Sequence, residues 1–139
     1  MHSMPKLKTY RLFKEIREKE LYLTLNIPRR LRVSLARFRT GSHNFEVEVG
    51  RHKKMNVEVR LCRFCGMMNN LVCIEDEYHV LFHCIAYKDI RNMNIGGEIF
   101  NQSLHSFVSI MKNNNPQIIV NLAHFINSMF KTRKGLCKL

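Results

Sequence analysis

The sequence predicts a mainly α-helical fold: a small helical domain with at most a short β segment. Two observations favour helices, because apolar residues recur every three or four positions in several stretches and clusters of Gly, Pro and Asn separate those stretches. A third observation places the centre of the domain at residues 61–91, which hold four of the five cysteines. The 139 residues suffice for one modest core, so we expect a single domain, 1–139. Its parts are a basic helical part at 6–60, a Cys- and His-containing part at 61–92 and a helical hairpin at 98–134.

The charge balance restricts the partners that we expect. Lys and Arg number 23 against 11 Asp and Glu, which gives a formal net charge of +12. Such an excess favours a polyanionic partner, nucleic acid first. We expect no membrane partner, because the apolar runs are shorter than the ~20 residues that span a bilayer. The first 28 residues lack a signal-peptide pattern, and five cysteines suit a metal better than disulfides, so we expect the nucleus or the cytoplasm.

The first two helices are expected at 6–25 and 29–40. In the first, Leu7, Tyr10 and Phe13 recur every third residue, although alternating leucines at 21–25 leave a strand open there. The second begins after Pro28 and ends at Gly41, the residue types that favour a helix start and a left-handed helix end. At 42–50, alternating Phe and Val fit a short strand as well as a helical turn.

The second helix and the segment after it are rich in cations. Arginine presents a planar fork of donors that suits phosphate oxygens, so we predict phosphate contacts there. A solvated helix face is the alternative explanation of such a run. The predicted nucleic-acid-binding residues are Arg29, Arg30, Arg32, Arg37, Arg39, Arg51, Lys53 and Lys54.

The central stretch has the spacing of a zinc knuckle followed by a helix. Cys62 and Cys65 are separated by two residues, His79 follows after thirteen more, and Cys84 after a further four. Structural zinc sites take four sulfur or nitrogen donors from the protein in a tetrahedron. We therefore predict zinc bound by these four residues, with Gly66 in a turn that requires positive φ.

The fourth ligand stays open on spacing alone. His83 lies four residues after His79 and would share its helix face, whereas Cys84 reaches the metal if the helix end loosens. Thiolate is the better charge partner for zinc, which favours Cys84. Cys73 is a third candidate, but its apolar neighbours are typical of a small buried hydrophobic residue.

The last part should be helical apart from its tail. Residues 85–92 are expected to continue the His79 helix. Apolar residues at helical spacing then predict helices at 99–112 and after Pro116, joined by an Asn-rich loop into an antiparallel pair. The tail 131–139 is expected to fray, with Cys137 an exposed free thiol.

With these residues read in order, the chain resembles the C-terminal zinc-binding segment of LINE-type (non-LTR) retrotransposon reverse transcriptases. The resemblance extends from about residue 10 to 91, and its most specific part is the Cys-x2-Cys pair with its acidic-His-Cys partner. The residues that carry it are Arg37–His43, Glu48–His52, Cys62, Cys65, Glu75–His79, Cys84, Tyr87 and Arg91.

The resemblance implies a role without chemistry at the zinc. It favours Cys84 over His83, because the family pattern carries Cys at that position, and it matches no ligand to Cys73. It implies binding of RNA, favoured over DNA, or contact with a polymerase domain or another acidic protein partner. The clustered carboxylates of a polymerase are absent, since the chain has only Asp76 and Asp89 as aspartates. We expect a non-catalytic module, or an element remnant in which zinc only stabilises the fold.

Overall fold

The computed structural model describes Tyr10 and residues 21–95, 104–113 and 115–137, and these residues are mainly helical, as predicted. The α-helices are α1 (Arg29–Thr40), α2 (Glu46–His52), α3 (Arg63–Asn69), α4 (Glu77–Phe82), α5 (Lys88–Asn94), α6 (Leu104–Met111) and α7 (Pro116–Leu136). Single 3-10 turns lie at Leu21–Leu23, Val57–Val59 and Ile85–Tyr87. Within the described ranges the β structure is one isolated antiparallel bridge, between Leu61 and Ile74.

Helix α1 has the predicted boundaries. Pro28 immediately precedes it, and Gly41 ends it in the left-handed conformation with φ 74°, its N–H donating to the Arg37 carbonyl. The helix predicted at 6–25 lies largely outside the described residues. Of that stretch the structure describes Tyr10, the 3-10 turn at Leu21–Leu23 and the two residues that follow it.

Residues 46–50 of the 42–50 segment are helical and belong to α2, whereas Phe45 immediately before them is extended, so the choice between strand and helix goes to the helix. Phe45 and Val47 are buried as either pattern requires, but Glu48 is buried too. Its carboxylate accepts from Arg51 Nε at 2.7 Å, one helical turn along the chain. The alternation of apolar and acidic residues therefore does not mark a strand, because the buried Glu48 pairs with Arg51 of the same helix.

The core joins α1 to α7. Leu31, Leu35 and Phe38 of α1 are buried in the same cluster as Leu122, Phe125, Ile126 and Met129 of α7. Ser34 donates to the side chain of Asn127 across this contact at 3.1 Å. Helix α5 packs on the same long helix. The two longest described helices therefore form the frame on which the central part rests.

Three expectations about the central and last parts are wrong. The His79 helix does not continue through 85–92: α4 ends at Phe82, Cys84 is extended, and α5 begins at Lys88. Gly66 lies within α3, and the left-handed residue is Asn70 at its end. The tail does not fray at 131, because α7 runs to Leu136 and buries Arg133.

A short neck closes the base of the central loop. Beside the Leu61–Ile74 bridge, Cys62 N–H donates to Cys73 O at 2.8 Å and Glu75 N–H to Arg60 O at 3.0 Å. Arg60 is fully buried, and its guanidinium donates to backbone carbonyls of two other residues, Met55 and Val47. The neck thereby fixes both chain segments that enter the loop.

Candidate metal centre

Four residues from four local structures meet at the centre of the loop. Cys62 immediately precedes α3 and Cys65 lies in its first turn, while His79 lies on α4 and Cys84 in the extended segment after it. All four side chains are buried. Their ligand atoms lie within 4.8 Å of one another. These are the four residues that the sequence predicted as ligands.

The distances between these atoms fit one tetrahedral ion. The Cys62 and Cys84 sulfurs are 3.7 Å apart, the Cys65 and Cys84 sulfurs 3.9 Å, and Cys65 Sγ lies 3.5 Å from His79 Nε2. Metal–sulfur bonds of about 2.3 Å and metal–nitrogen bonds of about 2.0–2.1 Å give tetrahedron edges of about 3.8 Å for two sulfurs and about 3.5 Å for sulfur and nitrogen. The protein therefore holds the donors at the spacing that an ion requires.

Helix α4 is capped at both ends in a way that positions His79 and Cys84. Asp76 accepts from His79 N–H at 2.8 Å, which caps the helix start. Arg91 donates to the carbonyls of Leu81 at 2.6 Å and of Cys84 at 3.0 Å. Because carbonyls at a helix end lack intrahelical partners, Arg91 stabilises the break that turns Cys84 inward.

The sulfur chemistry suits a cation. The hydrogen bond from Cys84, assisted by His79, lowers the pKa of Cys62, and the same pairing raises the pKa of Cys84. The opposite shifts follow from the short distance between these two sulfurs, which is 3.7 Å. Backbone N–H groups of Cys65 and Ala86 also stabilise the thiolates of Cys62 and Cys84. A metal that replaces the remaining protons would remove the repulsion among the thiolates.

The two rival ligands are placed differently. His83 is exposed at the end of α4, and its ring centre lies 5.2 Å from that of Tyr78, outside the four-donor cluster. Cys73 is half-buried, with its sulfur 3.8 Å from His79 Nε2. Burial raises the pKa of Cys73 to about 12, and its sulfur does not belong to the group of four ligand atoms that lie within 4.8 Å of one another. The geometry selects Cys84 among the alternatives that spacing left open.

The predicted phosphate-contacting residues divide into two groups. Arg29, Arg30, Arg37, Lys53 and Lys54 are exposed, and Arg32 is half-buried. The other two are engaged within the protein. Arg39 is buried and donates to Met111 O at 2.6 Å, and Arg51 pairs with Glu48. The exposed basic surface is accordingly smaller than the sequence suggests.

One buried ion pair was missed by sequence reasoning. Arg133 of α7 donates to both carboxylate oxygens of Glu75 at 2.8 Å, and also to Asn44 and Tyr87. Burial raises the pKa of Glu75, while Arg133 opposes that shift. Since Glu75 lies between the neck and α4, this pair ties α7 to the metal centre. The acidic run at 75–77 was the available signal, but the sequence does not show which cation pairs with it.

Comparisons with known proteins indicate no role for this chain, so its role is inferred from the geometry of the four-residue cluster. No protein-family model, no curated protein and no solved structure matches the chain. A search of the described residues for helices long and apolar enough to cross a bilayer finds none. What the molecule presents is a buried Cys3His cluster that can hold a metal ion, on a basic helical domain.

Proposed function

We propose that Cys62, Cys65, His79 and Cys84 bind one zinc ion that stabilises the fold, in a non-catalytic module that binds nucleic acid. The buried four-donor tetrahedron carries the metal part of this proposal. Thiolate and imidazole in tetrahedral geometry are typical of zinc. Four protein donors leave no position for a reacting water, which supports a structural role over a hydrolytic one.

The nucleic-acid part is supported by exposed cations and by charge. Arg29, Arg30 and Arg37 on α1 are exposed, as are Lys53 and Lys54 after α2. With a formal charge of +12, such a surface attracts phosphates with little reading of sequence. The resemblance to LINE-type reverse transcriptases supports RNA over DNA and an origin in such an element. Reduced thiolates for zinc support the nucleus or the cytoplasm.

The salt dependence of binding tests this proposal. We would titrate the zinc-loaded protein against fluorescein-labelled single-stranded RNA by fluorescence anisotropy, between about 50 and 200 mM salt. Each phosphate contact contributes about −0.7 to the log–log slope for single strands, so three to five contacts give a slope of about −2 to −3.5. A slope near zero, or no binding at low salt, overturns the nucleic-acid part. Native mass spectrometry tests the zinc part separately.

A second candidate function is contact with a protein, such as a polymerase domain or an acidic partner. The observation that favours it is an apolar tip on the central loop. Met67 and Val72 are each 81% exposed, and Met68 and Leu71 52% each. Exposed apolar clusters of this kind often mark interaction sites. Under this alternative zinc only holds the fold, and mutation of the exposed cations leaves function unchanged.

A further inference from the structure

A groove of about 650 Å³ lies where the end of α1 and the loop after it meet the last turns of α7. We call it the α1–α7 groove, and its walls include Arg37, Ser42, Asn44, Phe130 and Lys134. We propose that this groove binds the phosphodiester backbone of single-stranded nucleic acid, with Arg37 and Lys134 contacting phosphate. The inference rests on the proposed function and assigns it a location. Of the two residues proposed to contact phosphate, only Arg37 was predicted from the sequence.

Arg37 is held in a fixed orientation at the groove. Its Nε donates to the carbonyl of Ser42 at 3.0 Å, and its guanidinium carbon lies 4.6 Å from the centre of the Phe130 ring. The side chain is nevertheless exposed. One edge of the Arg37 guanidinium therefore contacts Ser42 and one face contacts Phe130, while its Nη groups remain to donate to a ligand. A guanidinium group that is already held in one orientation loses less conformational entropy when it binds a ligand.

The electrostatic field in the groove is positive. Lys134 supplies a second exposed cation, and no carboxylate is among the described residues that line the groove. Glu75 and Glu77 contact residues that line the groove, and both are buried. Glu75 is paired with Arg133, and Glu77 accepts from the His43 ring at 2.9 Å. With low-dielectric walls on several sides, such a cleft concentrates its field on an anion.

The groove also offers a neutral donor beside the cations. Asn44 is exposed, and its Oδ1 accepts from Arg133 Nε at 2.8 Å. Because the oxygen of that amide is engaged, its Nδ2 group is the part available to donate to a ligand. Backbone-positioning contacts to phosphate and sugar commonly come from such amides as well as from Arg and Lys.

The shape favours a single strand over a duplex. The volume lies in the range of about 300–1,000 Å³ that holds a small molecule, and one or two nucleotides are of that size. The guanidinium of Arg37 covers Phe130 with one face, which leaves the other face for an unpaired base to stack on. A base held within a duplex cannot reach that position.

The test compares two double variants with the same loss of charge. Arg37→Gln with Lys134→Met removes both exposed cations of the groove, while Lys88→Met with Lys131→Met removes two exposed cations outside its lining, one at the start of α5 and one on α7. The probe is a fluorescein-labelled oligouridine of about 12 nucleotides, measured by anisotropy with the zinc-loaded chain. We expect the groove variant to bind more than about tenfold more weakly, with a salt slope reduced by about 1.4. The control should change affinity by less than about threefold.

The outcomes separate this inference from the proposed function. Failure of the unmodified protein to bind the probe overturns both. Binding by the unmodified protein with equal losses in the two double variants overturns the groove and leaves the proposed function standing. Tighter binding of a matched RNA duplex than of the single strand also overturns the groove. Lys134→Met alone controls for folding, because an exposed lysine can be removed without opening the core.

Discussion

The central loop at 60–87 and the pair of helices α1 and α7 are stabilised by different interactions. The loop buries three cysteines and a histidine at its centre and is closed by the few hydrogen bonds of its neck. The helix pair buries a continuous apolar stripe of Leu, Ile, Phe and Met side chains. Packing of apolar stripes stabilises the helix pair without any ligand. The loop instead brings together four donor side chains that can hold a cation between them.

This difference means that the metal should matter locally first. Helices α3 and α4 are seven and six residues long, too short to be stable in isolation. Helix α7 has 21 residues and packs on α1 and α5. Removal of the metal, exchange of the candidate fourth ligand and loss of the ion pair between the two regions test this contrast.

The largest effect should follow loss of the metal. Structural zinc sites contribute apparent binding free energies of roughly 10–16 kcal/mol at neutral pH. We expect Cys84→Ser to lose the ion and a chelator to abolish amide protection at 60–87 while α1 and α7 keep more of theirs. Native mass spectrometry and hydrogen exchange measure the two quantities.

The matched control for that change is His83→Ala. His83 is exposed and lies outside the cluster, so this variant should retain one ion per chain and its melting temperature. If His83→Ala lost the ion and Cys84→Ser kept it, the assignment of the fourth ligand would be wrong. Uniform loss of protection across α1 and α7 on chelation would show that the two regions are one cooperative unit.

A smaller but substantial effect should come from the ion pair that connects the two regions. Arg133→Met leaves the Glu75 carboxylate buried without its cation, and removing one partner of a buried pair costs about 3–5 kcal/mol. We expect that loss in the free energy of unfolding, measured by denaturant titration. The double variant with Glu75→Gln should recover part of it. Equal stability of the single and double variants would mean that the Glu75 carboxylate carries no burial penalty once Arg133 is removed.

The smallest effect distinguishes two glycines by their surroundings. A Cβ at Gly50 would lie 2.7 Å from Cδ and 2.9 Å from Nε of the buried Arg60, so Gly50→Ala should destabilise the neck by about 1–3 kcal/mol. Gly135 in α7 has nothing within 4 Å, so Gly135→Ala should stabilise that helix by up to about 1 kcal/mol. Thermal melts of both variants measure the difference. A stabilising Gly50→Ala would show that Arg60 can move aside.

Residue types that act locally made much of this fold predictable. Pro28 and Gly41 set the ends of α1 because proline and glycine restrict or permit particular backbone angles. The four residues of the cluster were predicted because zinc requires particular donors at close spacing, and the structure places Cys84 rather than His83 in that cluster. The Asn-rich loop likewise separated α6 from α7 at the expected place.

What could not be predicted depends on partners distant in sequence. Arg133 looked like part of a basic tail, yet its partners Asn44 and Glu75 lie 89 and 58 residues away. Arg39 was counted as a surface cation because nothing in the sequence shows that it donates to Met111 O, 72 residues on. The spacing of apolar residues predicts which face of a helix is buried. It does not predict which charged side chain donates to a buried acceptor.

The hydrogen bond between Ser34 and Asn127 has a consequence for the order in which the protein folds. It spans 93 residues of sequence, whereas the metal ligands lie within 23 consecutive residues. Closing a long loop costs more chain entropy than closing a short one, so we expect the loop to form its site during synthesis before α1 meets α7. Until residues 116–136 emerge from the ribosome, the apolar face of α1 lacks its contact with α7. We expect the nascent chain to be most prone to aggregation during that interval, because apolar surface is then exposed.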